Sequence, residues 1–352
     1  MTGRIAELQK LMGKSGIDCL FVSSLSDIFY LTGFTGSTAM LFVDSSSALF
    51  MTDGRYEQQI RSELYKGIDS IIVNGYQESA AAQAAQYKKV HVTYSCGLLE
   101  YETLIKAGCD VDIDRENLIG GLRIVKDADE ISQIKDMYRA AYEGFVNALP
   151  VFVAGNTEDH WAAELEKQMK LAGARTTSFD TIVASGARGA LPHGIATRKK
   201  VELNDPVVLD YGCKLNYCSD VTRLVIAGEN AEAEKIADIV YTALKKASEF
   251  VREGVKASEA DAVAREYIES RGYGRFFNHS LGHGVGIDVH EKPSLNRRDD
   301  TVLKAGMVVT VEPGIYLPDN FGVRLEDTVL VTENGCENLT AVFDRYIYKN
   351  IL

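Results

Sequence analysis

The stretch HSLGHGVGIDVHEKP, residues 279–293, contains three histidines, His279, His283 and His290. Glycines stand on both sides of the middle histidine, which is part of the tripeptide GHG. Glycine lets the backbone approach other groups closely, and this suits a crowded site. A single histidine more often satisfies a hydrogen bond in a core. The cluster points to a site because of the carboxylates found elsewhere in the chain.

Four acidic residues stand at the ends of apolar runs where buried strands are expected. Asp210 ends VVLD, Asp220 begins DVTRLVI, Glu312 ends VVTVE, and Glu326 lies in GVRLEDT. Aspartate in a turn is usually without further significance, but a charged side chain at the inner end of an apolar strand needs a partner. Asp210 and Asp220 can face each other across a hairpin, where two carboxylates repel unless a cation or a proton lies between them.

The acidic residues and one histidine together predict a metal centre. Alternation in GVRLEDT puts Arg324 and Glu326 on one strand face, so a structural salt bridge is the alternative for Glu326. Four carboxylates can neutralise two divalent cations, and oxygen ligands with one imidazole suit manganese, cobalt or zinc. Two metals roughly 3.5–4 Å apart can generate a hydroxide nucleophile at neutral pH. The candidate ligands are Asp210, Asp220, His283, Glu312 and Glu326.

Composition limits the class of protein. The chain has 352 residues and a formal net charge of -12, and roughly 100–200 residues per domain suggests two domains. An acidic protein is not expected to bind nucleic acid or an anionic membrane through bulk charge, and no apolar run approaches the ~20 residues of a membrane span. Six cysteines without a CxxC motif or an export signal predict free thiols and a cytoplasmic location.

Residues 1–122 alternate short apolar runs with helical patterns, which predicts an α/β domain. Its expected strands are 17–23, 38–43, 47–51, 69–73 and 90–92, and its expected helices are 4–13 and 56–64.

Residues 123–352 mix helices with antiparallel hairpins, which predicts an α+β domain. One helix begins at Asp127 or Asp129 and ends before Pro150, and another runs from 156 or 157 to 170. A third follows Asn230, and Ser258 with Asp261 suggests a capping box for a fourth. The expected strands are 207–210, 220–227, 307–312 and 324–331.

These motifs together resemble the aminopeptidase P and prolidase family. The family consists of pita-bread metallopeptidases and also includes methionine aminopeptidase and the metal-free creatinase. The resemblance rests on SGARGALPHG (185–194), LDYG (209–212), YCSDVTR (217–223), residues 279–293, VVTVEPGIY (308–316) and GVRLEDT (322–328). SLSDIFYLTGFTGS (24–37) and TDGRY (52–56) resemble the family's creatinase-like N-terminal domain.

The resemblance implies a creatinase-like α/β domain over 1–122 and an α+β pita-bread catalytic domain over 123–352. It implies a two-metal exopeptidase that hydrolyses the bond between an N-terminal residue and proline, as an aminopeptidase or a dipeptidase. Manganese is the expected metal, with cobalt or zinc as alternatives. Small peptides with proline in second position are the expected substrates, and a homodimer is the expected assembly.

The resemblance also assigns the metal ligands. Asp210 would bind one metal, His283 and Glu312 the other, and Asp220 and Glu326 both.

It further implies roles around the metals. Glu312 would handle the proton of the attacking water, while His193 and His290 would contact the substrate and stabilise the tetrahedral intermediate. His279 and Arg324 would support the site from behind the ligands.

The chain departs from the family pattern between the two aspartates. The step from Asp210 to Asp220 is ten positions, where the family has eleven and a glycine before the tyrosine. A shift of register would turn side chains to the other face, so we expect the lost residue to fall in the turn 214–216, with both strand ends in place. Cys218 shares a face with Asp220 and is expected to be a packed thiol.

Three other functions are less compatible with the sequence. A methionine aminopeptidase is disfavoured by the large N-terminal domain, and a creatinase-like enzyme is disfavoured because all five ligands are present. A pita-bread binding module with weakened catalysis would be favoured by loss of a ligand or of His193. Neither is lost, and the shortened hairpin is the one feature in its favour.

Overall fold

The computed structural model describes residues 3–343 and 346–349. The chain divides into two compact units, Met1–Arg123 and Ile124–Leu352. Within the described ranges, no helix has the length and apolar character needed to cross a membrane.

The first unit is a mixed sheet with helices. Its elements are α1 (Arg4–Ser15), β1 (Cys19–Val22), α2 (Leu25–Thr32), β2 (Met40–Asp44), β3 (Ala48–Thr52), α3 (Glu57–Glu63), β4 (Asp69–Ile72), α4 (Tyr76–Ala84), β5 (Lys89–Val92), α5 (Leu98–Lys106), β6 (Asp110–Ile113) and α6 (Leu118–Arg123). The strand order is β4-β3-β2-β1-β5-β6. Strand β2 is antiparallel to both neighbours, and the outer pairs are parallel.

The α/β prediction for this unit is confirmed, with the five expected strands found within about two residues of their bounds. Helices α2, α4, α5 and α6 and strand β6 were not predicted. The sequence of α4, YQESAAAQA, carries few large apolar side chains, so periodicity gives little signal there. Its alanines Ala80 and Ala84 pack against the sheet in the core.

The second unit combines helix pairs with mainly antiparallel sheets. Its elements are α7 (Ala128–Ala148), α8 (Glu158–Leu171), β7 (Thr176–Thr177), β8 (Ile182–Ser185), β9 (Pro206–Tyr211), β10 (Cys213–Lys214), β11 (Val221–Ile226), α9 (Ala231–Phe250), α10 (Ala257–Ser270), β12 (Gly282–Gly284), β13 (Glu291–Leu295), β14 (Val308–Val311), β15 (Gly314–Leu317), β16 (Phe321–Arg324), β17 (Asp327–Thr332), β18 (Gly335–Asn338) and β19 (Ile347–Lys349). The main sheets have the orders β19-β11-β9-β8 and β13-β12-β14-β17-β18, while β15 and β16 form a hairpin.

Two apolar cores support these sheets. One packs α9 and α10 against β14, β16 and β17, and the other packs α7 and α8 against β8, β9 and β11. The predicted starts of three helices are confirmed. Asp127 caps α7 in a capping box with Glu130, α8 follows Thr157, and Asn230 caps α9.

The predicted capping box of α10 is wrong. The helix begins at Ala257, and the Glu259 carboxylate accepts the backbone N–H of Lys256 at 3.0 Å. Ser258 therefore lies inside the first turn. Asp261 is fully buried and binds Arg265, one turn further along α10, through two hydrogen bonds of 2.6 and 2.7 Å. Its Oδ1 also accepts the backbone N–H of Leu281 at 3.1 Å, so these contacts occupy the carboxylate that a cap would have used.

The predicted continuous strand over 324–331 is also wrong. The chain leaves β16 after Arg324 and enters β17 at Asp327, with Leu325 and Glu326 between them. The backbone N–H of Glu326 donates to the carbonyl of Thr222 in β11 at 3.2 Å. The interruption lets Glu326 join β11, which belongs to the other main sheet, and so its carboxylate lies where the two sheets meet.

Candidate metal centre

Three carboxylates converge at the ends of β9 and β11. One oxygen from each of Asp210, Asp220 and Glu326 can be chosen so that all lie within 4.8 Å of one another, and all three residues are buried. Asp210 pairs with Thr222 across the two strands, and Asp220 directly precedes β11. Both aspartates thus stand at strand ends despite the shortened spacing between them.

The GHG tripeptide forms β12, and its glycines are required by close backbone contacts. A Cβ at Gly282 would lie 2.0 Å from the carbonyl oxygen of Thr310, and one at Gly284 would lie 2.3 Å from that of Lys292. Larger residues cannot occupy these positions without moving the neighbouring strands. The tight packing fixes the backbone on both sides of His283.

His283 completes the cluster together with Glu312. Its Nε2 lies 3.5 Å from Asp220 Oδ2 and 3.4 Å from Glu312 Oε1. Its Nδ1 donates to the carbonyl oxygen of Gly284 at 3.1 Å. Burial lowers the pKa of His283 to about 4, and the neighbouring His290 acts in the same direction. A neutral ring with hydrogen on Nδ1 turns a lone pair toward two carboxylates, and a cation between them is the arrangement that satisfies all three groups.

Two buried oxygens of the cluster have no hydrogen-bond partner among the described residues, Asp210 Oδ1 and Glu326 Oε1. The other oxygen of each carboxylate is held. Asp210 Oδ2 accepts from Arg324 at 2.5 Å, and Glu326 Oε2 accepts from Thr222 at 2.9 Å. Buried polar atoms without partners are rare in proteins. These two oxygens fit the donor set of a divalent-cation site.

The pKa shifts of the clustered carboxylates also indicate a site for cations. Burial raises the pKa of Asp220 and of Glu326 well above the ordinary range, and neighbouring carboxylates add to both shifts. Burial also raises the pKa of Glu312 to about 8, against the opposing effect of Arg324. Without metal the cluster therefore retains protons that a bound cation would displace.

Arg324 stabilises the site from behind the ligands. Besides its contact with Asp210, its guanidinium donates to Tyr316 Oη at 2.7 Å, to the carbonyl oxygen of Pro192 at 3.0 Å and to Thr222 Oγ1 at 3.2 Å. The alternative interpretation of Glu326, a structural salt bridge with Arg324, is not found, because Arg324 pairs with Asp210. Arg324 thus links β16 to β9, β11 and the segment that carries His193.

His279 and Tyr316 continue this network. His279 Nδ1 donates to the carbonyl oxygen of Ser280 at 2.8 Å, so its Nε2 accepts from Tyr316 Oη at 2.9 Å. Burial lowers the pKa of His279 to about 3, and Arg324 adds to the shift. Tyr316 was not predicted as a site residue. The signal available in the sequence was its position in EPGIY, directly after a candidate ligand.

The two remaining histidines lie outside the buried cluster. The His290 ring centroid is 4.4 Å from that of His283, and its side chain is exposed. His193 is also exposed and follows Pro192, whose carbonyl accepts from Arg324. Cys218 is buried, its thiol contacts the carbonyl oxygen of Ile287 at 3.4 Å, and burial raises its pKa to about 11. It is a packed thiol, as expected.

Known protein families match both parts of the chain. Residues 132–333 match the model of metallopeptidase family M24, which covers more than half of the chain and all of the candidate ligands. The chain belongs to metallopeptidase family M24. Residues 4–125 match the creatinase/prolidase N-terminal domain, so the expected combination of a creatinase-like domain with a pita-bread catalytic domain is confirmed.

Relatives of this M24 chain match it over nearly their full lengths. The Xaa-Pro dipeptidase of Pyrococcus furiosus is 37% identical over 97% of this chain and 98% of the relative. A structure of an Xaa-Pro dipeptidase from Bacillus anthracis has a TM-score of 0.94 at 35% identity, covering 99% of both chains. A structure of an X-Pro aminopeptidase from Thermotoga maritima has a TM-score of 0.89 at 36% identity, covering 97% of this chain and 99% of the other.

Proposed function

We propose that this M24 metallopeptidase is an exopeptidase that uses two divalent metal ions to hydrolyse the bond between an N-terminal residue and proline. The observation that carries the proposal is the neutral His283, whose Nε2 lone pair faces the carboxylates of Asp220 and Glu312 in a buried space. The relatives named Xaa-Pro dipeptidase and X-Pro aminopeptidase support the substrate class.

The five ligands divide between the two metals as follows. Asp210 would hold one ion, His283 and Glu312 would hold the other, and Asp220 and Glu326 would serve both. Four carboxylates balance the four positive charges, which keeps the buried centre near neutrality. Bound divalent ions would lower the pKa of the attacking water. Manganese is the proposed metal because oxygen ligands predominate.

The remaining chemistry belongs to side chains of this chain. Glu312 takes up the proton of the attacking water, because its carboxylate lies within the ligand cluster where that water must approach. His193 and His290 are exposed. The His290 ring centroid lies 4.4 Å from that of His283, and His193 follows Pro192, whose carbonyl accepts from Arg324. In this proposal both histidines hydrogen-bond the developing oxyanion or the leaving group. Arg324 holds Asp210 in place through its bond of 2.5 Å.

The cleavage direction follows from the charge of the site. A free α-amino group at the substrate's N-terminus can pair with the carboxylates, which places the first peptide carbonyl near the attacking water. The bond to proline lacks an N–H, so a site that cleaves it does not depend on that donor. Peptides with proline in second position are therefore cut after their first residue, and internal bonds to proline remain intact.

The experiment compares alanyl-proline, alanyl-prolyl-alanine and N-acetyl-alanyl-proline with the protein loaded with manganese, cobalt or zinc. The free peptides should be cleaved and the acetylated one far more slowly, because acetylation removes the charge that positions the substrate. Similar rates for acetylated and free dipeptides would refute an exopeptidase. The ratio between dipeptide and tripeptide distinguishes a dipeptidase from an aminopeptidase, and the rates with each metal test the choice of manganese.

A homodimer is proposed as the assembly. All nine candidate site residues belong to the second unit, Ile124–Leu352, so the first unit is available to shape an interface or the substrate cleft. The molar mass in solution tests this proposal. A monomer with full activity would count against it.

A further inference from the structure

Glu158, at the start of α8, has a buried carboxylate that lies outside the metal cluster. Its side chain is completely buried. The backbone around it is joined to a later part of the chain, because Glu158 N–H donates to the carbonyl of Lys199 and Asp159 N–H to that of Thr197. A buried charge is stable only when it is paired and hydrogen-bonded, so its partners show what it holds.

Both oxygens of Glu158 accept hydrogen bonds from residues on either side of His193. Oε1 accepts from the backbone N–H of Ser185 at 2.9 Å and from its hydroxyl at 2.8 Å. Oε2 accepts from the hydroxyl of Thr197 at 2.8 Å and from its backbone N–H at 3.2 Å. Arg188 Nε donates to Oε2 at 2.9 Å and to Oε1 at 3.3 Å. One carboxylate therefore joins the beginning and the end of the segment 186–196.

Inside this segment most of the hydrogen bonds are local turns. Arg188 reaches across it, since its Nη2 donates to the carbonyl of Ile195 at 2.5 Å. On the opposite side, Arg324 donates to the carbonyl of Pro192 at 3.0 Å. The exposed His193 side chain is not held by packing, so its position depends on how the backbone is anchored.

We propose that Glu158 is a positioning residue, which fixes the segment 186–196 and thereby places His193 beside the metal centre. Charge-assisted hydrogen bonds to backbone N–H groups are among the stronger contacts available for this purpose. Catalytic groups need support of this kind, because a displacement of about 1 Å can reduce a rate by about 100-fold. This inference rests on the role proposed above for His193.

The test uses Glu158→Gln, which keeps the volume but turns an amide NH₂ toward N–H and O–H donors. We expect unchanged manganese content, a fall in kcat of about 10- to 100-fold for alanyl-proline with a smaller change in KM, and faster amide hydrogen exchange in 186–196. The matched control is Glu164→Gln on the same helix, where the carboxylate binds Lys167 and Gln168 at the surface. This control should match the wild type in every measurement.

A double-mutant cycle shows whether Glu158 acts through His193. In a His193→Ala background, Glu158→Gln should lower kcat by less than about twofold further, because the group that it positions is already gone. An equal loss in both backgrounds, or loss of manganese, would overturn the proposal. If Glu158→Gln folds poorly, Thr197→Val removes one hydroxyl donor and should give a milder effect with the same cycle. Amide exchange in 186–196 needs no substrate, so unchanged exchange overturns the proposal even if the wild type does not cleave peptides with proline in second position.

Discussion

Replacing Glu326 by glutamine should change the stability of the metal-free and the metal-loaded protein in opposite directions. The substitution keeps the side-chain volume, and the amide oxygen can still accept from Thr222, as Oε2 does now at 2.9 Å. What it removes is one negative charge from a buried cluster whose potential ligand oxygens lie within 4.8 Å of one another.

The size of the effect follows from these distances. Two full charges 4.8 Å apart repel by about 3 kcal/mol at an effective dielectric constant of ~20. The raised pKa values of Asp220 and Glu326 show that protons relieve part of this repulsion. We therefore expect the metal-free variant to be more stable than the wild type by about 2 kcal/mol near pH 8, or about 4–8 °C in Tm for a domain of this size.

With manganese the sign reverses. Three carboxylates cannot balance two divalent cations in a buried site, so Glu326→Gln should bind at least one equivalent less and lose activity by about 100-fold or more. The assay is thermal unfolding in EDTA and in manganese, together with metal analysis of the purified protein. Glu333→Gln, at an exposed turn, is the control. A metal-free Tm equal to or below that of the wild type, or retention of two manganese ions, would refute the reasoning.

Three further outcomes are expected. His193→Ala and His290→Ala should retain manganese and lose most activity, whereas His283→Ala should lose metal as well. Metal analysis and kinetics of the three variants test this, and equal metal loss in all three would show that the division into ligand and substrate-contacting histidines is wrong. The metal-free protein should become less stable as pH rises from about 6.5 to about 8, because the folded pKa of Glu312 is raised from 4.5 to about 8 and the folded state loses that proton over this range. Below about 6.5, the lowered pKa values of His279 and His283 act in the opposite direction. A flat Tm in EDTA between about pH 6.5 and about pH 8 would contradict this. Cys218→Ser should keep manganese stoichiometry, and loss of one equivalent would show that the thiol is a ligand.

Much of the candidate site could be predicted because its chemistry is carried by single residues in unusual local settings. A carboxylate after a run of β-branched residues, as at Glu312, conflicts with the burial that the run implies. Asp210 likewise follows an apolar run whose burial conflicts with a charge. Glycines on both sides of a histidine indicate close backbone contacts, and this pattern is visible in the sequence alone. The α/β and α+β characters of the two units likewise follow from local periodicity.

The parts that could not be predicted depend on contacts between distant segments. The interruption after Arg324 follows from a backbone bond between Glu326 and Thr222 of another sheet, which no pattern near residue 326 encodes. The cap expected at Ser258 failed because its partner Asp261 binds Arg265 in the same helix and accepts the backbone N–H of Leu281 from a distant segment.

The sequence by itself predicted the candidate metal ligands of this protein, because the residue types and their neighbours are local properties of the chain. Only the tertiary structure decided how these residues are oriented and held. Arg324 turned out to bind Asp210 rather than Glu326, and the buried Glu158 joins the two ends of the segment around His193. Such pairings depend on the three-dimensional packing of elements far apart in the chain, and local periodicity carries no information about them.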